Sequence, residues 1–224
     1  PAATGTSFYI DSAVSGVNYK CGSQEGITAA DGSFTFEMGS GCTFYLGDIE
    51  LRAVDAGLLT DGGNVYETDV EIARILQSLD SDANPDNGIT ISADIIRVLA
   101  EHEITSLPIT ETELNMLLAV ITSNGGTVVS KEEAQNHLNA TKLRLLLAGK
   151  TLYIPENQAV STVVFNNSMT SCTLIENGEV SIWTIDSIDG YEIYLDTDDI
   201  FIMAVDITDD YIVTKKGQYE ETDG

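Results

Sequence analysis

Hydrophobic and polar residues alternate along the first quarter of the chain, which is the pattern of short β-strands. Predicted strands cover residues 7–10, 17–20, 33–37 and 43–46, separated by Gly and Asp-Gly pairs. Phe34 and Phe36 fall on one face of the third strand, and Asp31-Gly32 supplies the residues of a tight turn before it. The pattern predicts a small β-sandwich over residues 1–55.

The hydrophobic period becomes helical from Thr68 onward. A hydroxyl residue followed three positions later by Glu marks three helix starts, at Thr68/Glu71, Thr110/Glu113 and Ser130/Glu133. Apolar residues then recur with the i, i+3, i+4 spacing of one buried helix face. A fourth helix is predicted to begin near Ser92. Residues 56–149 are therefore predicted to form a helical domain.

The strand pattern returns at Lys150 and continues through seven predicted strands. They cover residues 151–154, 161–165, 171–176, 180–185, 191–195, 201–206 and 211–214, and Asn177-Gly178 and Asp189-Gly190 are hairpin turns by composition. This pattern predicts an antiparallel β-sheet or small barrel over residues 150–224. The fold class is thus α+β, with a β-sandwich, a central helical domain and a C-terminal antiparallel β-domain.

The net charge of the chain makes two classes of binding partner unfavourable. The chain has 36 acidic and 10 basic residues, giving a net charge of −26, which repels nucleic acids and anionic membrane surfaces. Such a charge calls for high salt or bound cations. The chain begins at Pro1 without a leader and has no apolar run of membrane-spanning length. We therefore expect the mature or trimmed part of an extracellular protein, without membrane insertion.

The cysteines support an oxidising compartment. Cys21 and Cys42 flank predicted strands that a hairpin could bring together, so we predict a disulfide between them. Closing a loop of this length stabilises a fold by about 3 kcal/mol. For Cys172, a buried position on a strand is favoured over an intermolecular bridge.

The segment 79–89 is a candidate metal site. Oxygen-bearing side chains alternate at Asp80, Asp82, Asn84 and Asp86, an arrangement that lets a curled loop surround a hard cation, and Ca²⁺ suits such an irregular oxygen cage better than Mg²⁺. Gly88 permits a sharp exit from the loop.

This loop departs from the EF-hand pattern, because Pro85 stands where that pattern needs Gly and Ile91 where it needs Glu. A further ligand must come from elsewhere: Asp94 is the first candidate, with Asp69 and Glu67 as alternatives. The competing interpretation is a polar turn between helices that binds no metal.

No nucleophile, phosphate-binding or zinc-protease motif occurs in the sequence. His102 and His137 are the two histidines, and both lie on predicted helices where a structural role is favoured. The sequence thus predicts a protein that is not an enzyme, although chance pairs among its carboxylates leave glycosidase chemistry open.

Several segments together resemble a module found at the start of many secreted bacterial lipoproteins and surface proteins. The resemblance covers about residues 5–140 and is carried by residues 14–19, 21–22, 28, 30–37, 44, 46–51, 72–82, 84–89 and 133–138. The first part, with its Asp-Gly-Ser-Phe turn at residues 31–34, is similar to carboxypeptidase-regulatory-like, immunoglobulin-type sandwiches. The C-terminal strands are similar to lipocalin-like β-domains. These resemblances imply an extracellular accessory role and carry no catalytic residue.

The sequence therefore favours a non-catalytic, extracellular, calcium-binding cell-surface module that is structural, adhesive or a subunit of an extracellular assembly. Its partners would be other surface proteins, or further copies of itself through strand exchange at sheet edges. The alternatives are a lipocalin-like protein that binds a small ligand and an accessory protein active on polysaccharides.

Overall fold

A computed structural model describes residues 2–155, 160–195, 200–207 and 212–218. It confirms a mixed α+β fold with sandwich-like sheets, helices and a curled C-terminal antiparallel sheet. The chain divides into two compact units, Pro1–Leu138 and Asn139–Gly224.

The strands of the first unit form three sheets. They are β1 (Thr4–Ile10), β2 (Val14–Ser15), β3 (Asn18–Cys21), β4 (Gln24–Ile27), β5 (Ser33–Glu37), β6 (Cys42–Leu46), β7 (Ile49–Val54), β8 (Asn64–Tyr66) and β9 (Ile89–Thr90). The two main sheets have the orders β5-β1-β8 and β4-β3-β6-β7, and β2 pairs with β9 in a short parallel ladder.

Aromatic side chains fill the space between these strands. Phe34 and Phe36 are buried, as the alternation of the sequence predicts, and Phe44 is buried with them. The Phe44 ring lies 4.6 Å from the Tyr9 ring and 4.9 Å from the Phe34 ring, measured between centroids. Strands of both main sheets therefore contribute to one core.

Four helices follow: α1 (Val70–Ser78), α2 (Ala93–Glu101), α3 (Glu111–Ser123) and α4 (Lys131–Leu147). Ile75, Leu99 and Ile121, one from each of the first three helices, belong to the same buried cluster as Phe44. None of the described helices is long and apolar enough to cross a membrane.

The two units differ from the three predicted domains, 1–55, 56–149 and 150–224. Beyond residue 55, β8 pairs with β1 and β9 pairs with β2, so this part of the chain completes the sheets of the first part. Burying both segments in one core leaves no boundary at residue 55. The second boundary falls within α4, whose Ala140, Leu143 and Leu147 lie in the core of the second unit.

The second unit is a seven-stranded antiparallel sheet in which each strand pairs with the next. Its strands are β10 (Thr151–Pro155), β11 (Val160–Phe165), β12 (Ser171–Glu176), β13 (Glu179–Asp189), β14 (Glu192–Leu195), β15 (Ile200–Ile207) and β16 (Ile212–Gln218). Asn177 and Gly178 both have positive φ, 50° and 84°, as their predicted hairpin turn requires. The sheet curls until its first and last strands approach one another.

Candidate functional site

The predicted disulfide between Cys21 and Cys42 is confirmed. The two cysteines are opposite one another on the antiparallel pair β3 and β6, with Cα atoms 4.1 Å apart, and both are buried. The two strands do not form the simple hairpin that the sequence suggested, because β4 and β5 lie between them along the chain. Cys172 is buried on β12, opposite Trp183, as predicted.

The acidic loop after α1 is closed by its own hydrogen bonds. The Asp80 carboxylate accepts the backbone N–H of Thr90 at 2.8 Å and that of Asn84 at 2.9 Å. The Asp82 carboxylate accepts the same Asn84 N–H at 3.0 Å and the side-chain amide of Asn87 at 2.9 Å. Asp80 and Asp82 therefore face the inside of one tight loop.

The two carboxyl groups interact directly. Burial raises the pKa of Asp80, and hydrogen bonding with Asp82 and the charge of Asp82 raise it further. The hydrogen bond from Asn87 lowers the pKa of Asp82, as does the contact with Asp80. As the pH rises, Asp82 therefore loses its proton before Asp80 does.

The remaining candidate ligands point elsewhere. The Asp86 carboxylate lies 3.5 Å from Nδ1 of His137, and the Asp94 carboxylate forms an ion pair at 3.3 Å with Arg97 on the exposed side of α2. Asp69 caps α1 by accepting the N–H groups of Glu71 and Ile72. Of the five predicted ligands, the geometry brings Asp80 and Asp82 together, with Asn84 in the same loop.

Among the described residues, no three His, Cys, Asp or Glu side chains form a metal-binding group. A calcium ion in this loop would use the carboxylates of Asp80 and Asp82, with Asn84 as a further oxygen ligand, and Asp94 would not take part.

A second polar cluster centres on His137, which is 9% exposed. Its Nε2 lies 3.0 Å from the Ser12 hydroxyl and 3.7 Å from the Asp11 carboxylate, while Nδ1 faces Asp86 of the acidic loop. Ser12 has a positive φ of 53° in the tight turn after β1. Helix α4, the turn after β1 and the acidic loop are thus linked through one imidazole.

Asp11 is the most deeply buried acid of this cluster, with no exposed surface. Gln77 of α1 donates to its Oδ2 at 2.9 Å, whereas Oδ1 has no hydrogen-bond partner. Burial raises the pKa of Asp11 to about 7, against the lowering effect of the Gln77 hydrogen bond, and the charge of Glu67 raises it further.

Glu67 extends the network on the other side of Asp11. Its carboxylate accepts the Tyr9 hydroxyl at 2.5 Å and lies 3.3 Å from the Arg52 guanidinium. It also accepts the backbone N–H groups of Thr68 and Asp69, both at 2.8 Å. Burial, with the charge of Glu67, raises the pKa of the Tyr9 hydroxyl well above its ordinary value.

Ser12, His137 and Asp86 stand in the order hydroxyl, imidazole, carboxylate that serine hydrolases use. However, the buried Asp11 carboxylate lies beside the same Nε2 atom that would take the serine proton, and His137 itself is buried. The imidazole lies between the carboxylates of Asp11 and Asp86 and links the turn after β1 to the acidic loop. The structural role of His137 stays a prediction.

Sequence reasoning did not identify Asp11 or Ser12 as members of any site. The available signal was indirect: Gln77, Asp86 and His137 belong to three separate segments that carry the resemblance described above, and these segments meet here. Neither a family model, nor a curated protein, nor a solved structure matches the chain significantly.

Proposed function

We propose that this chain is a non-catalytic module of an extracellular bacterial surface protein, with a structural or adhesive role and a calcium ion in the loop of residues 80–88. The observation that carries this proposal is the Cys21–Cys42 disulfide in the core of the first unit. Disulfides persist in oxidising compartments and are rare in the cytosol. The net charge of −26 supports the same setting.

Calcium binding is supported by the paired carboxylates of Asp80 and Asp82. The charge of Asp82 helps to raise the pKa of Asp80, and a divalent cation between the two carboxylates would remove the repulsion between their charges. The ion would neutralise the pair and fix the loop between α1 and β9. Because Asp86 in that loop faces His137, a rigid loop also holds α4 in place.

Thermal unfolding of the full chain tests the calcium site. We expect the melting temperature to be higher with 2 mM CaCl₂ than with a chelator, since a ligand that binds only the folded state stabilises it. Asp82→Asn should abolish the shift, because it removes one of the two paired charges. Asp94→Asn is the matched control and should keep it, since Asp94 pairs with Arg97 on the exposed side of α2. An unchanged wild-type midpoint, or an equal loss in both variants, would contradict the site.

Surface location has its own test. Intact cells of the source organism are treated with protease, and the chain is followed by antibody. Loss of the chain while a cytosolic marker stays intact is the expected result. Survival of the chain until the cells are lysed would rule out the proposed location.

The lipocalin-like alternative receives no support from the described part of the second unit. The face of the sheet that would line a ligand pocket is covered by packed side chains, among them Ile154, Val163, Phe165 and Leu174, together with Leu143 and Leu147 of α4. These side chains occupy the space that a small ligand would need.

A further inference from the structure

A cavity of about 170 Å³ lies between the end of α2 and the first two turns of α3 in the first unit, and it is partly open to solvent. The described residues that line it fall between His102 and Leu117, away from the acidic loop in the sequence. An engineered cavity of about 150 Å³ in another protein binds benzene, so this one has room for about six non-hydrogen atoms of a ligand. The cavity is therefore large enough for a small organic molecule.

The lining of the cavity combines apolar and acidic side chains. Leu117 is 2% exposed and belongs to the core of the first unit, the half-buried Ile104 packs against that core, and Met116 adds exposed apolar surface. The polar lining consists of two carboxylates, two hydroxyls and one imidazole, from Glu103, Glu113, Thr105, Ser106 and His102. Neither Lys nor Arg is found among the described residues of the lining. Such a lining suits a ligand with an apolar body and a positive charge.

Glu113 has one carboxylate oxygen outside the capping box of α3. Its Oε2 accepts the backbone N–H groups of Ile109 and Thr110 and the Thr110 hydroxyl, all at 3.0 Å. Its Oε1 takes part in none of these bonds. The hydrogen bond from the Ile109 N–H, with those from Thr110, holds the pKa of Glu113 below its usual value. Glu113 therefore supplies a fixed, charged carboxylate to the cavity.

Glu103 occupies a backbone position that favours glycine. Its φ is 56°, and α2 ends there in a Schellman motif, because the Glu103 N–H donates to the Ala100 carbonyl and the Ile104 N–H to the Leu99 carbonyl. Glycine adopts this left-handed conformation at lower cost, and other residues held in it are concentrated at functional sites. The end of α2 also carries the partial negative charge of its carbonyl groups. The chain thus places a second carboxylate at the cavity where stability alone favours glycine.

Charge and hydrogen bonding select the class of ligand. Two carboxylates and the end of α2 attract a positive charge and repel an anion, and His102 would oppose a cation only in its protonated form. A quaternary ammonium group is typically held by aromatic rings, and the described lining contains none. A primary ammonium group has three N–H donors, which match carboxylate and hydroxyl acceptors. An alkyl chain of about five carbons on that group fills the remaining volume against Leu117.

We propose that this cavity binds an aliphatic primary ammonium group, with the nitrogen held by Glu103 and Glu113 and the alkyl chain packed on Leu117. Lysine side chains of a partner protein and free alkylamines share this chemistry. The inference deepens the proposed adhesive role by naming the group that the module holds, and in that respect it rests on the proposed function. The net charge of −26 draws such cations toward the chain.

Titration of the full chain with pentylamine, followed by ¹H–¹⁵N NMR at pH 8 in 0.15 M NaCl, tests the proposal. We expect saturable shifts confined to the amides of residues 102–117, with a dissociation constant on the order of 1 mM for a ligand of about six non-hydrogen atoms. Pentan-1-ol and pentanoate have the same chain without the positive charge and should bind at least tenfold more weakly. Glu103→Gln and Glu113→Gln should each raise the dissociation constant of pentylamine at least fivefold, and glutamine at position 113 keeps the capping box.

Glu111→Gln is the matched control, because Glu111 is an exposed acid in the same first turn of α3 and does not line the cavity. It should leave the dissociation constant unchanged. Shifts that do not saturate, an equal loss in Glu111→Gln and Glu113→Gln, or equal binding of pentan-1-ol would overturn the proposal, because each would show only general attraction or apolar contact.

Nα-acetyl-lysine methylamide separates the two sources of the ammonium group. Binding as tight as that of pentylamine supports the proposal with a lysine side chain of a protein as the ligand. Binding of pentylamine alone supports it with a free amine as the ligand, and binding of neither overturns it. None of these results touches the calcium or surface tests, so this inference can fail while the proposed function stands.

Discussion

At the scale of single residues, the buried carboxylate of Asp11 is the most unusual group in the first unit. One of its oxygens accepts from Gln77, and the other has no hydrogen bond although it lies 3.7 Å from Nε2 of His137. A buried charge without full hydrogen bonding is costly, which is why the pKa of Asp11 is raised to about 7. Asp11 therefore makes the stability of the fold depend on pH.

The sign of that dependence follows from proton binding. An unfolded Asp has a pKa of about 3.9, so between about pH 4 and pH 7 the folded state holds a proton that the unfolded state releases. The contribution of this bound proton to the free energy of unfolding is fully present below pH 4 and is lost as the pH rises toward 7. We expect Asp11→Asn to flatten this part of the stability profile, with a total change of the order of 4 kcal/mol as an upper bound.

Urea unfolding of the wild type and of Asp11→Asn at half-unit intervals from pH 4 to pH 8 measures the effect. Asp48→Asn, on the exposed turn between β6 and β7, controls for the loss of one negative charge. Parallel profiles for the wild type and Asp11→Asn would contradict the assignment of the pH dependence to Asp11. His137, Asp86 and Glu67 also belong to this cluster, and all three are unchanged in the variant.

The site was only partly predictable from the sequence. The Cys21–Cys42 bond depends on residue spacing and is found. Asp80 and Asp82 both accept the backbone N–H of Asn84, whereas the calcium site predicted from their spacing stays a prediction. The link between His137 and Asp11 joins residues that are far apart in the chain, and neither residue has a local pattern that points to the other. A distant ligand has no local pattern either: nearness in the sequence favours Asp94, whose carboxylate instead pairs with Arg97.

At the scale of elements, local chemistry predicted the helix starts well. Thr110 with Glu113 and Ser130 with Glu133 form the reciprocal hydrogen bonds of a capping box, as predicted. The predicted cap at Thr68 is wrong by one residue, because Asp69 caps α1. The backbone N–H of Thr68 is instead held by Glu67, whose position is set by the buried Tyr9 and Arg52. Tertiary contacts thus explain why this helix begins one residue later than its sequence predicts.

The junction of β2 and β9 holds the end of the acidic loop and depends on Gly16. A Cβ atom at Gly16 would lie 2.1 Å from the carbonyl oxygen of Ile91, so the two backbones approach as closely as glycine allows. Gly39 has the same φ of 86°, but a Cβ atom there would meet nothing within 4 Å. Alanine substitutions at Gly16 and Gly39 therefore separate the cost of steric overlap from the cost of the backbone conformation.

We expect Gly39→Ala to destabilise the first unit by about 1 kcal/mol, which is the cost of a left-handed conformation for alanine. Gly16→Ala should cost about 2 kcal/mol more, because the carbonyl of Ile91 must move. Urea unfolding measures both, and the calcium-dependent melting shift should also shrink in Gly16→Ala if the junction positions the loop. Equal costs for the two variants would show that the close approach carries no energetic weight.

At the scale of the whole molecule, the fold class followed from periodicity, whereas the grouping into units did not. Alternation identifies Phe34 and Phe36 as buried, and helical spacing does the same for Leu117 and Ile121, but neither pattern states which buried faces meet. The pairing of β8 with β1 joins segments more than 50 residues apart and merges the predicted first and second domains into one core. Pairing of this kind is set by the complete fold.

The net charge of −26 has a consequence for the molecule as a whole. Acidic residues outnumber basic ones by 36 to 10, so self-repulsion opposes the compact state at low ionic strength. Salt shortens the range of this repulsion, from about 30 Å at 0.01 M to about 3 Å at 1 M. We therefore expect the melting temperature to rise by several degrees between 0.02 M and 0.5 M NaCl, at about 2–4 °C per kcal/mol gained.

Choline chloride at the same concentrations separates screening from specific ion binding, because its large organic cation does not fit an oxygen-lined site. Equal rises in the two salts would establish screening as the cause. A rise in NaCl alone would assign the effect to cation binding by particular carboxylates, with Asp80 and Asp82 as the first pair to test by Asp82→Asn. A melting temperature that falls with both salts would mean that attractive ion pairs, such as those of Arg52 and Arg97, outweigh the repulsion among the acidic residues.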